Sequence, residues 1–237
     1  MTPETEPTLV VSEVFGPTVQ GEGPTIGRRA AFVRLGRCNL DCSWCDTPYT
    51  WDWERYDPKV ELHERPVAEI VAEVEGMGVD RVVVTGGEPL LQQRRLLPFL
   101  VAASDRGWTV EVETNGTLAP NADTTRLVGR FNVSPKLANS GVAPERALVP
   151  DALRAFAALG REGRAAFKFV VADPDDLHEV QAIVDAHDLG PVYVMPEGRT
   201  AEAVLGGGRR LADAVVARGW NLTTRLHVVL WGDERGR

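Results

Sequence analysis

Cysteine and histidine are both scarce in this chain of 237 residues, which has three of the first and four of the second. An odd number of cysteines argues against a scaffold of paired disulfides. No run of about eighteen apolar residues occurs, so no transmembrane helix is indicated. Basic residues are also outnumbered, 26 against 34 acids, and the net charge is −8. That balance argues against a protein that follows a nucleic-acid backbone, which needs a basic face.

The first residues lack the pattern of an export signal. Residues 1–8 are polar and acidic, without the basic and apolar regions of a signal peptide. We therefore expect a loose tail there and a cytoplasmic protein. The composition, 43% hydrophobic and 25% charged, is ordinary for a globular chain. Its length suits a single domain over residues 1–237.

Strand patterns alternate with helical patterns along the sequence. The continuous run Val82–Val84 indicates a strand buried on both faces, as in a parallel sheet. Strands are predicted at residues 29–36, 82–84, 108–114, 130–136, 165–171, 191–197 and 224–231. Helices are predicted between them, near residues 67–77, 90–106, 150–159, 175–186 and 200–218, with Gly206–Gly208 as a loop. This alternation predicts an α/β fold, an open parallel sheet with helices outside, of the partial (βα)6-type barrel.

All three cysteines lie within eight positions, directly after the first predicted strand, as Cys38, Cys42 and Cys45. In sheets of this kind the chemistry lies at the carboxyl ends of the strands. A structural zinc site has four protein ligands and no open position. The chain has no fourth cysteine, and the nearby histidine is His63. A [4Fe–4S] cluster normally takes four cysteines. Three thiolates would leave one iron open for another ligand.

The spacing C-x₃-C-x₂-C after a first strand resembles the radical S-adenosylmethionine (SAM) family, and "TGGEP" (Thr85–Pro89) resembles that family's second motif. Within it the chain is similar, almost end to end, to the family of 7-carboxy-7-deazaguanine synthases. That similarity is carried by six segments: "FGPTVQGEGPTIGR" (15–28), "FVRLGRC" (32–38), "CSWCDTPYTW" (42–51), "ETNGT" (113–117), "SPK" (134–136) and "LHVVLWGDERGR" (226–237). The resemblance therefore covers nearly the whole chain.

The resemblance implies a radical SAM carbon–nitrogen lyase. Its reaction would convert 6-carboxy-5,6,7,8-tetrahydropterin to 7-carboxy-7-deazaguanine with loss of ammonia, through hydrogen abstraction by a 5′-deoxyadenosyl radical and ring contraction. It would use a [4Fe–4S] cluster on Cys38, Cys42 and Cys45, SAM on the open iron, and Mg²⁺ at Thr47. The family also implies a homodimer, and we expect an electron donor such as flavodoxin or ferredoxin. The net charge and the absence of a long apolar run lead us to expect no nucleic-acid or membrane partner.

The resemblance also implies binding residues, although none of them is assigned as catalytic. Cofactor contacts are expected from Trp44, Asp46, Gly87, Glu88, Ser134, Pro135, Lys136, Met195, Pro196 and Glu197. Substrate contacts are expected from Val19, Gln20, Gly21, Glu22, Arg34, Thr85 and His227. Arg34 lies in an apolar strand, where a buried charge needs an anionic partner, either the substrate or a structural acid. His227 alternates with apolar residues in the last predicted strand, a pattern that a core histidine would also show.

Two other classes of protein fit part of the pattern. A glycyl-radical-enzyme activase has the cysteines and the GGEP motif but acts on a protein. A non-catalytic iron–sulfur protein needs neither GGEP nor a SAM pocket. Binding of SAM and consumption of a carboxypterin distinguish the three.

Overall fold

The strands of the computed structural model, which describes residues 6–237, belong to one sheet. They are β1 (Thr8–Val19), β2 (Arg29–Leu35), β3 (His63–Pro66), β4 (Arg81–Gly86), β5 (Thr109–Thr114), β6 (Arg130–Val133), β7 (Ala165–Val171), β8 (Val192–Pro196) and β9 (Asn221–Leu222). Their order is β3-β1-β2-β4-β5-β6-β7-β8-β9. From β2 through β9 neighbouring strands are parallel, whereas β1 is antiparallel to both β2 and β3.

Most of the helices lie between consecutive parallel strands. They are α1 (Pro58–Glu61), α2 (Val67–Gly76), α3 (Gln93–Asp105), α4 (Ala122–Leu127), α5 (Pro144–Ala147), α6 (Pro150–Arg161), α7 (Asp176–His187), α8 (Ala201–Ala217) and α9 (Leu226–Trp231). None of the helices within residues 6–237 combines the length and the apolar character that crossing a membrane requires.

The core lies between the sheet and the apolar faces of these helices. Every residue of β7 is buried, and Val82, Val83 and Val84 of β4 are fully inaccessible. Strands covered on both faces read as continuous apolar runs, so the sequence pattern follows directly from this burial. On α2, Ile70 and Val74 repeat at helical spacing and pack into the same core. The predicted open parallel sheet with outer helices is confirmed.

Six predicted strands are confirmed as β2 and β4 to β8, but the last one, residues 224–231, is wrong. That segment is the helix α9, in which Val229 N–H donates to Arg225 O at 3.0 Å and Gly232 N–H to Val228 O at 2.9 Å. A short apolar run fits both the helical period and the alternation of a strand, so the sequence could not distinguish a helix from a strand here.

Three further details differ from the sequence prediction. The strands β1, β3 and β9 were not predicted. Of the expected tail, residues 1–5 lie outside the described part, and Thr8 already pairs with Pro66 in the sheet. The prediction of a loop at Gly206–Gly208 is wrong, because these residues lie within α8. A Cβ on Gly207 would come within 2.7 Å of Pro196 Cβ, so the glycine lets α8 pack closely on β8.

Candidate active site

A cavity of about 430 Å³ opens at the carboxyl ends of the parallel strands. It brings together most of the predicted site residues, namely Val19, Gln20, Gly21, Glu22, Arg34, Cys38, Cys42, Trp44, Cys45, Asp46, Thr47, Thr85, Gly87, Ser134, Lys136, Met195, Glu197 and His227. Three others, Glu88, Pro135 and Pro196, are buried and do not line it.

The three thiols lie in the loop that follows β2, and none of them forms a disulfide. Cys42 is buried against Leu40, and the other two cysteines pack against the same small apolar cluster. The backbone N–H of Leu40 donates to Cys38 Sγ at 3.5 Å, and Asn115 Nδ2 lies 4.0 Å from that sulfur. Burial raises the pKa of Cys38 to about 11 and also raises the pKa of Cys42. Thiolates here therefore need a metal to stabilise them.

The glycines of the TGGEP motif let β4 pass close behind the cysteine loop. A Cβ on Gly86, whose φ is +130°, would lie 2.0 Å from Leu35 O. A Cβ on Gly87 would lie 1.9 Å from Arg37 O. Neither position has room for a side chain, so both glycines are required for this approach.

Glu88 of the same motif is turned away from the cavity. It is fully buried, and its carboxylate accepts hydrogen bonds from Leu90 N–H at 2.9 Å, Thr114 Oγ1 at 2.8 Å and Asn115 N–H at 2.7 Å. Burial raises the pKa of Glu88, although these donors oppose that effect. The side chain thus joins the ends of β4 and β5 and fixes the cavity wall from behind.

An ionic network around Glu22 occupies the other side of the cavity. Lys168 Nζ donates to Glu22 Oε2, and Arg225 Nε donates to Glu22 Oε1 at 3.1 Å. Arg225 also donates to Gly198 O at 2.9 Å and to the carboxylate of Asp46. Burial alone would raise the pKa of Glu22, but the charges of Lys168 and Arg225 outweigh it and hold that pKa far below its usual value. Glu22 is therefore an anion at neutral pH.

A second carboxylate, that of Glu113, lies at the end of β5. It accepts hydrogen bonds from Gln20 Nε2 at 3.0 Å and from Thr85 Oγ1 at 2.7 Å. The amide oxygen of Gln20 accepts the backbone N–H of Glu22 at 3.1 Å. The orientation of the Gln20 amide is thus set by bonds at both of its ends.

His227 reaches the cavity from α9 rather than from a strand. A Cβ on Gly21 would lie 2.0 Å from His227 Nδ1, and Leu226 N–H donates to Gly21 O at 2.8 Å. The glycine thus lets the imidazole lie directly over the Gln20–Glu22 loop. Burial lowers the pKa of His227, so the ring is neutral at neutral pH.

Arg34 lines the cavity and is also paired with a structural acid. Its Nε lies 2.5 Å from Glu13 Oε1, and its guanidinium lies 5.4 Å from the centre of the Phe15 ring. Tyr49 donates to the same Glu13 oxygen at 3.0 Å, while Arg235 donates to the other at 3.3 Å. Of the two anionic partners predicted for Arg34, the acid is therefore present in the protein itself.

The cavity-lining residues that the sequence analysis did not assign include Tyr49, Glu113, Lys168 and Arg225. Lys168 did carry a signal, because it is the charged residue of an otherwise apolar strand, "AAFKFVV". Glu113 lay inside a quoted motif without being assigned a role. Arg225 precedes α9 in a segment of no regular structure, and no local pattern indicated it.

Comparison with known proteins agrees with this geometry. Residues 33–140 match the Radical SAM superfamily. Over 235 residues the chain is 41% identical to the 7-carboxy-7-deazaguanine synthase of Pyrobaculum aerophilum, with 98% of each chain covered. The chain belongs to the 7-carboxy-7-deazaguanine synthase family. A relative of the same name from Halobacterium salinarum is 35% identical, with 96% of this chain and 92% of the relative covered.

A solved structure is also similar to this member of the synthase family. The crystal structure of QueE from Escherichia coli aligns with a TM-score of 0.70 at 25% identity, covering 93% of this chain and 95% of that chain. The similarity thus extends over most of both chains.

A radical SAM protein carries a [4Fe–4S] cluster and SAM, and this synthase-family chain has a donor set that fits them. Its three free thiols share one side-chain cluster beside the cavity, and N–H groups point at two of the sulfurs. Thiolates with such donors are the ligands of iron–sulfur clusters. Within residues 6–237, no three His, Cys, Asp or Glu side chains form a group that could hold a single metal ion.

Proposed function

We propose that this chain is a radical SAM lyase that converts 6-carboxy-5,6,7,8-tetrahydropterin to 7-carboxy-7-deazaguanine with loss of ammonia. The observation that carries this proposal is that the Gln20–Glu22 loop and the three-cysteine loop face one cavity in a chain of this family. When bound, the cluster and SAM supply the electron and the radical that abstracts hydrogen. The protein's own residues bind the pterin, orient it and exclude water.

The acidic side of the cavity supports binding of a pterin. A pterin edge presents an amino group and ring N–H groups, all of which donate hydrogen bonds. Glu22 is held as an anion by Lys168 and Arg225, and its side chain is 13% exposed. Gln20 is held in one orientation and is 1% exposed. Acceptors that are already oriented lose little freedom when the ligand binds.

The region next to Cys45 supports binding of Mg²⁺ and the substrate carboxylate. Thr47 Oγ1 lies 3.8 Å from Cys45 Sγ and lines the cavity. Both the backbone N–H and the hydroxyl of Thr50 donate to Thr47 O, at 3.0 and 2.8 Å, which fixes the residue. Because Mg²⁺ keeps several waters and needs few protein ligands, one threonine hydroxyl is a reasonable anchor.

The ends of β6 and β8 support contacts with SAM. Lys136 Nζ donates to Ser134 Oγ at 3.0 Å and lies 5.4 Å from the centre of the Trp44 ring. Met195 and Glu197 line the same cavity from the end of β8. We assign these residues to SAM, and Glu88, Pro135 and Pro196 to the support behind them. We also assign Asp46 and Gly87, which line the same cavity, to SAM.

The proposal extends to the setting of the enzyme. We infer one domain over residues 1–237, a homodimer, a cytoplasmic location and a small electron carrier of the flavodoxin or ferredoxin type. The family resemblance supports the dimer and the electron carrier. Size-exclusion chromatography with light scattering tests the dimer, and turnover with a reduced flavodoxin tests the carrier.

The decisive experiment is an anaerobic assay of the reconstituted protein with SAM, Mg²⁺, dithionite and the carboxypterin. We expect the deazapurine by mass spectrometry, and none from a Cys38→Ser variant, which loses one cluster ligand. Cleavage of SAM without consumption of the carboxypterin would favour an activase. Failure of the reconstituted protein to bind SAM would favour a non-catalytic iron–sulfur protein.

A further inference from the structure

The indole of Trp51 donates a hydrogen bond to one of the three cysteine sulfurs. Its Nε1 lies 3.3 Å from Cys45 Sγ, and the ring lines the cavity. Another indole of this segment, that of Trp44, donates instead to Asn139 Oδ1 at 3.1 Å. Trp44 and Trp51 thus have different partners, and of these two Trp51 is the one directed at sulfur.

Backbone hydrogen bonds hold Trp51 where it is. Its N–H donates to Pro48 O at 3.0 Å, which closes the short turn before it. The preceding residue, Thr50, is fully buried, and its carbonyl accepts the N–H of Arg37 at 2.7 Å. Because Arg37 precedes Cys38 directly, this bond ties the tryptophan turn to the start of the cysteine loop. The N–H donor is therefore oriented before any cofactor binds.

We infer that Trp51 raises the reduction potential of the cluster held by Cys38, Cys42 and Cys45. Reduction transfers one electron from a low-potential one-electron donor, which is oxidised, and no bond to the protein breaks. The added negative charge is shared with the coordinating sulfurs. An N–H directed at Cys45 Sγ stabilises the reduced form more than the oxidised form, and hydrogen bonds to sulfur are among the factors that set such potentials.

This inference depends on the cluster of the radical SAM family but not on the proposed pterin substrate. The potential is measured without SAM and without substrate. A protein with the expected potentials that makes no deazapurine would overturn only the proposed function. A protein that makes the deazapurine but whose potential does not depend on Trp51 would overturn only this inference.

The test is the substitution Trp51→Phe, which keeps an aromatic ring and removes the N–H. The reconstituted parent and variant are titrated anaerobically against potential, and the reduced cluster is followed by its EPR signal. We expect the midpoint to become more negative. The equilibrium constant for reduction should fall on the order of tenfold, which is about 59 mV for a one-electron couple.

Two variants control for effects other than the hydrogen bond. Trp53→Phe makes the same exchange two positions along, where the side chain is exposed, and should leave the potential unchanged. Trp51→His keeps a ring N–H and should keep the potential closer to that of the parent. Trp51→Leu is a second donor-free variant should Trp51→Phe fail to fold.

Three results would overturn the inference. The first is an unchanged midpoint in a donor-free variant that retains full iron and sulfide content. The second is an equal shift in Trp51→His and Trp51→Phe, which would attribute the change to packing. The third is loss of the cluster from donor-free variants that keep the parent's circular dichroism, which would make Trp51 a residue that shapes the binding loop.

Discussion

Nε of Arg225 lies 3.1 Å from Oε1 of Glu22, although 203 positions separate the two residues in the chain. The same guanidinium donates to the carboxylate of Asp46, which lies between Cys45 and Thr47. One buried cation therefore joins the proposed pterin loop to the loop of the cluster and Mg²⁺. We expect its position to set the distance between these two loops.

The first prediction concerns binding by Glu22. Glu22→Gln should weaken binding of the carboxypterin by about 2–5 kcal/mol, because it removes one partner of a buried charged contact. Binding of SAM should change little. Separate calorimetric titrations of the two ligands into parent and variant check this. Equal losses for both ligands would instead indicate a defect in folding.

The second prediction concerns the stability of the Glu22 network against pH. The folded-state pKa of Glu22 lies below its unfolded value of about 4.3. Its ionic contribution to the free energy of unfolding is therefore fully present above about pH 5 and declines as the pH falls. Urea unfolding of parent and Glu22→Gln between about pH 3 and pH 7 measures the difference. The difference in the free energy of unfolding between parent and variant should shrink as the pH falls. Two stability curves that stay parallel over this pH range would contradict the ionic role.

The third prediction concerns positioning by Arg225. Arg225→Lys keeps the charge but cannot contact Glu22, Asp46 and Gly198 O together. A displacement of about 1 Å can cost on the order of a hundredfold in rate, so kcat should fall strongly. The control Arg209→Lys, exposed on α8, should have the parent's kcat.

Steady-state kinetics together with iron counts separate the possible roles of Arg225. A positioning role predicts that kcat falls more than KM rises, at unchanged cluster content. A rise in KM alone would assign Arg225 to substrate binding. Loss of cluster in the folded variant would assign it to the structure of the cysteine loop.

The fourth prediction concerns Mg²⁺ at Thr47. Turnover should rise with Mg²⁺ and fall with chelator at constant cluster content, because the ion would hold the substrate carboxylate. Thr47→Val keeps the shape without the oxygen and should weaken the Mg²⁺ response, whereas Thr47→Ser should largely retain it. An unchanged Mg²⁺ dependence in Thr47→Val would show that the metal binds elsewhere.

The fifth prediction concerns the close approach at Gly87. Gly87→Ala forces a methyl group against Arg37 O and should lower the free energy of unfolding by about 1–3 kcal/mol or more. The matched control is Gly76→Ala at the end of α2, where a Cβ meets nothing within 4 Å. That change should be neutral or stabilising. Thermal melts compare the stability of the two variants with that of the parent. Equal melting temperatures for the two variants would contradict the packing argument.

The sheet could be predicted where its strands are buried on both faces. In β4 and β7 the buried positions are mostly apolar, as in Val82–Val84 and Phe169–Val171, and such continuous apolar runs are visible in the sequence. The edge strand β3 is largely exposed and left no such pattern. The helix α9 has six residues, too few for a helical period to be told from alternation.

The sequence alone determined the chemistry of the cysteine loop and its family, because the spacing of Cys38, Cys42 and Cys45 and the glycines of TGGEP are local features. The tertiary structure alone decided which charges meet. The contacts of Glu22 with Lys168 and Arg225 span 146 and 203 positions. They exist because the parallel order of the strands brings distant parts of the chain together at one end of the sheet. Burial there makes an unpaired charge costly, and no local pattern records which partner supplies the opposite charge.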